Sequence, residues 1–585
     1  MLNRFARVLP IVHWLKDYNG GTFVSDSLAA VIVTLMLVPQ ALAYALLAGL
    51  PAEVGLYASM IPLVVYALFG TSATLAVGPV AVASLMTASA LGGIAQAGSP
   101  EYVGAALVLA ALSGLILFAM GVLRLGFLAN FLSHPVISGF VTASGILIAG
   151  SQIGHILGIQ GGGHNLLEMG RGLWQQIAAI NPVTLVIGGG VLVYLYLCRR
   201  FLKPALVAIG LSERLADLSS KAAPVSAVIV TTAAAWFWDL GEAGVKLVGE
   251  VPSGLPSISL PPLDPAIWST LLPAAVLISL VGFVESVSVA QTLAAKRRQR
   301  IDPNAELIAL GLANVGAGVG GGSPVSGGFS RSVVNFEAGA QTPVAGALTA
   351  LGIAIATLTM TGLLAYLPKA TLAATIIIAI STLIDFSAIR RTLSYSKADG
   401  AAMLATIVLT LVHGVELGIL VGVGISLGLY LYRTSRPHSA VVGLIPGTEH
   451  FRNVSRHDVR TDDATIILRV DESLYFANAR YLEDTVLELV SARPRLKNLV
   501  LACQAVNDID ASALESLEAI DKRLAEADIT LHLAEVKGPV MDRLRRTEFC
   551  RELRGSIFLS TYEAWRTLVN ATPAKAKEKP VTQGG

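Results

Sequence analysis

Apolar runs of about 20 residues, the length that crosses a hydrocarbon core, recur along the chain as far as Tyr432. Fourteen are predicted, near residues 28–48, 54–70, 79–95, 102–121, 130–152, 182–198, 222–238, 270–293, 304–319, 326–340, 342–361, 370–384, 399–413 and 414–432. Apart from Arg331, Lys and Arg keep to the ends of these runs. On this layout eighteen fall on the side of the N-terminus, among them Arg199, Arg200, Lys203 and the cluster Lys296, Arg297, Arg298, Arg300; only Arg171, Lys246 and Lys369 fall opposite. The positive-inside rule then makes both termini cytoplasmic. After Arg436 the period changes. "ATIILRV", "NLVLAC" and "ITLHLAEV" read as short strands, with helical patterns at 478–492 and 511–526 between them, the alternation of a small α/β domain.

The expected organisation is therefore a membrane domain over residues 1–436, with halves at about 20–210 and 215–436, and a soluble domain over 437–570. The stretch 571–585, "ATPAKAKEKPVTQGG", lacks apolar content and is expected to be a disordered tail. The first twenty residues mix Arg4, Arg7, His13, Lys16 and Asp17 with apolar positions, as an interfacial amphipathic helix does, and show no cleavable signal peptide.

Composition adds little beyond this. Charged residues make up 14% of the chain, against about 25% in soluble proteins, so the bilayer has to serve as part of the solvent. The net charge of +2, with scattered basic residues, gives no footprint for nucleic acid. Cys198, Cys503 and Cys550 form neither a disulfide framework nor a zinc spacing, and His134, His155 and His413 have no metal-ligand spacing. No metal or cofactor is expected. Without a nucleophile–base pair or a phosphate-cradling loop, neither is an enzyme.

Two places depart from ordinary spans. In "LMLVPQALAYALLAGLP" Pro39 is expected to break the first segment at mid-depth, and "TLAVGPVAVASLM" opens the third; "GVGGGSPVSGGFSRSVVN" opens the tenth. Unwound backbone is tolerated in a membrane only where it lines a cavity, and an unpaired helix N-terminus attracts anions. "GPVAVAS" (78–84) and "SPVSGGFS" (323–330) resemble each other and open the third segment of each seven-segment half. Corresponding breaks in two halves mark an inverted repeat with its site between facing half-helices.

Charge inside the membrane sharpens the chemistry. Arg331, in the tenth segment, has a planar fork that fits an oxyanion; its alternative is a structural pair with Glu337. Glu285, within "LVGFVESVSVAQTL", has three open roles: carrying a proton, coordinating sodium, or holding Arg331. The proton role is the one expected.

At these residues the chain resembles the sulfate permease (SulP) family, over about residues 20–570. The stretches that carry the likeness are "PQALAYALLAGLPAEVGLYASMIPLVVYALFGTSATLAVGPVA" (39–81), "VGFVESVSVAQTLA" (281–294), "IDPNAELIALGLANV" (301–315) and "GGFSRSVVNFEAGAQTP" (327–343). The resemblance implies an α-helical polytopic membrane protein of about fourteen segments, a 7+7 inverted repeat with core and gate domains, followed by a cytoplasmic α/β STAS domain. It implicates Gln40 and Tyr44 of the first segment, Val80 and Ala81 of the third, and Phe329, Ser330 and Arg331 of the tenth in substrate binding. Glu285 of the eighth would serve ion coupling. Ala73 stands where many relatives carry arginine, so a basic group on the cytoplasmic approach is missing. In the STAS part, Ser512 matches a regulatory phosphosite of bacterial relatives; alternatively it caps the following helix, with Glu515 completing a capping box.

The function implied is secondary active transport of a small inorganic oxyanion by elevator-like alternating access in a bacterial inner membrane. "GFSRSVVN" favours sulfate, and proton symport is the expected coupling. Bicarbonate or dicarboxylate transport, sodium coupling and an anion channel stay open as alternatives. The implied partners are the bilayer, a second copy in a homodimer and a cytosolic protein bound by the STAS domain.

Overall fold

The computed structural model describes residues 10–569, apart from residues 132, 160–162, 164, 214–215, 217–218, 221, 250–253, 360 and 382. The tail expected at 571–585 and the first nine residues lie outside the described residues. Two compact units divide at Ser426 and Leu427.

The first unit is helical. In chain order it contains α1 (Gly20–Leu47), α2 (Ala52–Tyr57), α3 (Ile61–Phe69), a two-residue strand β1 (Val77–Gly78), α4 (Ala81–Gly92), α5 (Pro100–Val122), α6 (His134–Leu157), α7 (Leu166–Gln175), α8 (Pro182–Leu197) and α9 (Ala223–Phe237). The second half runs α10 (Pro265–Lys296), α11 (Pro303–Val319), β2 (Ser326–Gly327), α12 (Phe329–Ala338), α13 (Val344–Thr359), α14 (Lys369–Ile380), α15 (Phe386–Tyr395), α16 (Lys397–His413) and α17 (Val415–Ser435), the last crossing the unit boundary. Each of the fourteen apolar runs has its helix. Among the described residues six stretches are long and apolar enough to span a membrane, and α4, α9, α13 and α14 are shorter apolar helices. Lipid-facing and buried positions separate as spanning helices require: along α1, Val24, Leu28, Val31 and Leu35 are exposed while Ala29, Ala30, Val33 and Leu37 are buried. Trp236, Phe237 and Trp238 stand exposed at the end of α9, where an aromatic belt would meet the interface.

One expectation is corrected. Pro39 does not break the first segment; α1 passes through it unbroken for 28 residues. A proline removes one N–H donor, and a single lost bond leaves the helix standing when both flanks are packed. The interruption falls instead in the second segment, between α2 and α3, with Pro62 at the start of α3.

Helix packing sorts the unit into two groups. α1 and α3–α5 pack with α10–α13, α6, α8 and α9 pack with α14, and α16 packs on α6. α5 and α11 approach to backbone contact. A Cβ on Gly311 would lie 2.6 Å from the Phe118 nitrogen, and one on Gly114 would lie 2.5 Å from the Val315 nitrogen. Small residues are what bring membrane helices to backbone contact. Gly311→Val is expected to cost about 1–3 kcal/mol by overpacking, read as a lower thermal unfolding midpoint and a loss of monodisperse protein in detergent.

The second unit is a six-stranded mixed sheet in the order β4-β3-β5-β6-β7-β8, with β3 (Ser439–Leu444), β4 (Phe451–Asn453), β5 (Thr465–Val470), β6 (Asn498–Ala502), β7 (Thr530–Ala534) and β8 (Ile557–Phe558). β5 to β8 are parallel, and β3 is antiparallel to both neighbours. Period-two alternation divides the side chains. Ile466, Leu468, Leu499 and Leu501 face the helices α18 (Ala479–Ser491), α19 (Ala511–Glu526) and α20 (Gly538–Leu544). Ile467, Val500 and Ala502 face Trp565 of α21 (Thr561–Val569).

The cap of α19 is Asp510, whose carboxylate accepts from Ala513 N at 2.8 Å and from Phe476 N at 2.9 Å. Ser512 is therefore not the capping residue; it sits exposed one position inside the helix. His532 on β7 stitches three strands. Its Nδ1 accepts from Ser556 N at 3.0 Å, which leaves Nε2–H to donate to Asn498 Oδ1 at 3.3 Å. Burial lowers its pKa. An unfolded histidine binds a proton below about pH 6.5 while the folded one resists, so stability is complete above that pH and declines as pH falls below it. Amide protection factors in β6 and β7, taken relative to the intrinsic exchange rate at each pH, are expected to fall on acidification from pH 7 to 5.5, and His532→Gln to remove most of that pH dependence.

Candidate functional site

The half-helices α4 and α12 start inside the membrane because the residues before them cannot continue a helix. Pro79 lacks an N–H, and glycines precede α12. Extended backbone in lipid needs every polar group paired. β1 and β2 supply this by pairing antiparallel, Val77 with Gly327 and Gly78 with Ser326, and Gly328 N donates to Ala76 O at 3.1 Å. Side chains complete the pairing. Ser286 of α10 accepts from Gly327 N at 2.8 Å. Ser332 accepts from Ala76 N at 2.9 Å, and the Asn335 amide donates to Thr74 O at 3.1 Å. Asn314 takes both the N–H and the C=O of Val325, each at 2.9 Å.

One carboxylate anchors the approach to β1. Glu306 of α11 is fully buried and accepts from Tyr66 Oη at 2.8 Å, Thr71 N at 2.8 Å, Ser72 N at 3.2 Å and the Thr71 hydroxyl. Four donors converge on a single side chain, so the turn after α3 has no freedom to relax.

The result is two helix N-termini aimed at one small cavity of about 50 Å³. Gln40, Tyr44, Val80, Ala81, Glu285, Phe329, Ser330 and Arg331 all line it. Every membrane residue expected to bind substrate or couple an ion is thus brought together; Ser512 belongs to the other unit. Neither α4 nor α12 has a side-chain cap, which leaves first-turn N–H groups and the positive dipole ends to whatever enters. Arg331 is 2% exposed and donates from Nη1 to Pro79 O at 2.6 Å. This contact, and not a pair with Glu337, is what holds its guanidinium. Its Nε and Nη2, and Oε2 of Glu285, are buried without a hydrogen-bond partner. Gly328 makes the room: a Cβ there would lie 2.8 Å from Arg331 Nη2.

A larger cavity of about 380 Å³ adjoins the first. Gln40, Phe329, Ser330 and Ala379 border both. Its outer wall includes Arg199 and Lys203 of the α8 continuation, together with Thr375 and Ile378 of α14.

Comparison with known proteins agrees with this architecture. The sequence model of the sulfate permease family matches residues 23–406, most of the chain and every residue of the small cavity. The chain belongs to the sulfate permease family. The STAS domain model matches residues 456–564 of the permease. It is 36% identical over 541 residues to sulfate transporter 4.1, chloroplastic, of Arabidopsis thaliana, covering 90% of this chain and 77% of that protein. It is 32% identical over 539 residues to a probable sulfate transporter of Mycobacterium tuberculosis, covering 92% and 93%. The murine Solute Carrier 26 family member A9 anion transporter in the inward-facing state shares the fold, with a TM-score of 0.87 at 22% identity over 97% of this chain and 94% of that one. The transmembrane domain of the cyanobacterial bicarbonate transporter BicA gives a TM-score of 0.59 at 22% identity, covering 70% and 99%.

The positioning residues Ser286, Glu306, Asn314, Ser332 and Asn335 had escaped the sequence reading of the permease. Their signal was available: each is a polar side chain inside a stretch otherwise too apolar to hold one idly. Glu306→Gln puts an amide donor among donors and is expected to destabilise the permease by about 2–4 kcal/mol. Tyr66→Phe, losing one bond, should cost about 1 kcal/mol. Thermal unfolding in detergent reads both.

Proposed function

We propose that the permease is a secondary active transporter of a small inorganic oxyanion, sulfate, coupled to protons and working by elevator-like alternating access. The observation that carries this reading is the set of orphaned buried polar atoms, Arg331 Nε and Nη2 and Glu285 Oε2, in one cavity with two uncapped helix N-termini. Buried donors without partners are rare in proteins. An oxyanion supplies acceptors to all of the donors at once.

The same geometry supports coupling. A dianion entering an ionised Glu285 cavity meets a negative charge at low dielectric; protonated, the carboxyl becomes a donor instead. Anion and proton then bind together. Proton co-entry also offsets the membrane potential, which opposes each negative charge by about 2.3 kcal/mol per 100 mV. Alternating access is supported by the cavity walls. Gln40, Tyr44, Glu285 and Arg331 come from one helix group, whereas Ala379, Ile380 and Leu383 come from the α14 side. The larger cavity opens on the end that bears Arg199 and Lys203, the cytoplasmic end by the positive-inside rule, so we read this state as inward-open. The choice of sulfate is supported by the names of the curated relatives. In the STAS domain, the exposed place of Ser512 in the first turn of α19 suits a phosphate.

Uptake into proteoliposomes of labelled sulfate, bicarbonate, nitrate and dicarboxylates, with and without a proton gradient, tests the whole reading. Sulfate uptake is expected to saturate, and sulfate to accumulate in the vesicle lumen only when the lumen is more alkaline than the outside. Arg331→Ala should lower uptake efficiency roughly 30- to 100-fold, corresponding to about 2–3 kcal/mol of charged hydrogen bonds. Glu285→Gln should keep sulfate exchange and lose accumulation driven by the pH gradient. Full gradient-driven accumulation in that variant would remove Glu285 from the coupling role.

A further inference from the structure

The helix α8 does not stop at Leu197. It widens into a single π-turn at Cys198–Leu202 and continues as helix over Lys203–Ala208. Leu195, Arg199 and Lys203 are spaced by four. In a plain α-helix residues eight apart drift by about 80° around the axis; the wider π-turn takes back part of that drift. All three side chains therefore keep facing the larger cavity.

Arg199 has a second task there. Its Nη1 donates to Ile378 O at 3.2 Å and to Ser381 Oγ at 3.0 Å. Ile378 lies in the last turn of α14, the end where unpaired carbonyls carry about half a negative charge. That terminus borders the route between the two cavities, because Ala379 is part of the wall they share. An anion leaving the small cavity toward the larger one thus passes a negative helix end covered by a guanidinium. One turn further out stands Lys203. Among the described residues the cavity lining holds these two cations and neither Asp nor Glu.

We infer that Arg199 and Lys203 are specificity-determining residues of the vestibule, selecting dianions by charge, with Arg199 doing so by cancelling the carbonyl end of α14. The inference rests on the oxyanion-transport reading above and adds where charge is sorted before the small cavity is reached. Excess positive potential in a walled cleft raises the local concentration of anions, and it does so more strongly for a divalent than for a monovalent ion. The consequence is sided: it governs access from the vestibule and not from the opposite face.

The test is sulfate and nitrate transport by the full chain in inside-out membrane vesicles and in intact cells, at about 0.02 M and about 0.3 M salt, where the screening length falls from about 20 Å to about 6 Å. Arg199→Gln and Lys203→Gln are each expected to raise the sulfate KM about 5- to 10-fold from the vestibular face at low salt. At high salt the rise should shrink to about 2-fold or less. Nitrate should change less than sulfate, the KM from the other face should stay put, and Arg199→Lys should recover most of the loss. Lys203→Gln leaves the Arg199 bonds to Ile378 and Ser381 intact, so an effect shared by both variants does not come from uncovering the end of α14. A fall in maximal rate and protein yield from both faces, without salt dependence, would assign Arg199 to structure and overturn the inference. So would an unchanged vestibular KM in both variants. A wild-type protein that moves no oxyanion brings down the transport reading and this inference together, whereas unchanged variants of an active protein bring down only this one.

Discussion

Lipid offers no hydrogen bonds, and the two places where this chain leaves helical geometry at membrane depth must therefore satisfy each other. Residues 76–79 and 325–328 do so as a miniature antiparallel ladder, and the consequences spread outward from it. Because the strands pair antiparallel, the half-helices that follow them point their N-termini at the same space. The ladder has only two residues on each side, so it leaves several backbone groups over. Those are taken by Ser286, Asn314, Ser332 and Asn335, which ties α10, α11 and α12 to the break. A rigid scaffold for an anion pocket is the by-product of an obligation to pair backbone.

The buried charges divide into two kinds by the same criterion. Glu306 has four donors and is finished; it is architecture. Glu285 and Arg331 are unfinished, each with polar atoms that no protein group completes. A buried ionised group that is not fully paired is costly, and it persists where something else completes it during the working cycle. The contrast between a saturated and an unsaturated carboxylate, less than 25 positions apart in sequence, separates scaffold from site more sharply than burial alone. The vestibule extends the logic, since Arg199 neutralises a helix end that would otherwise repel the anion proposed to pass it.

Much of this was legible in the order of residues. The fourteen apolar runs became helices because hydrophobic length is sufficient information for a spanning segment. The twin Pro-Val motifs announced the two breaks, and the likeness of 39–81, 281–294 and 327–343 to one family pointed to the lining residues. Other features were not legible. Pro39 suggested a broken first helix, yet packing on both sides carries α1 through it. Asp510, and not Ser512, caps α19, because the turn from Phe476 brings a second N–H to the aspartate from 34 positions away.

Sequence alone determined which segments enter the membrane, that the third and tenth open on broken backbone and which charged residues are stranded among apolar neighbours, because each of these depends on local composition. Tertiary structure decided which stranded groups are satisfied. Glu306 finds Tyr66, Thr71 and Ser72 234 to 240 positions away, Arg331 reaches Pro79 across 252, and Arg199 reaches the end of α14 across about 180. Hydrogen-bond satisfaction is a property of partners in space, and no local pattern records who those partners are.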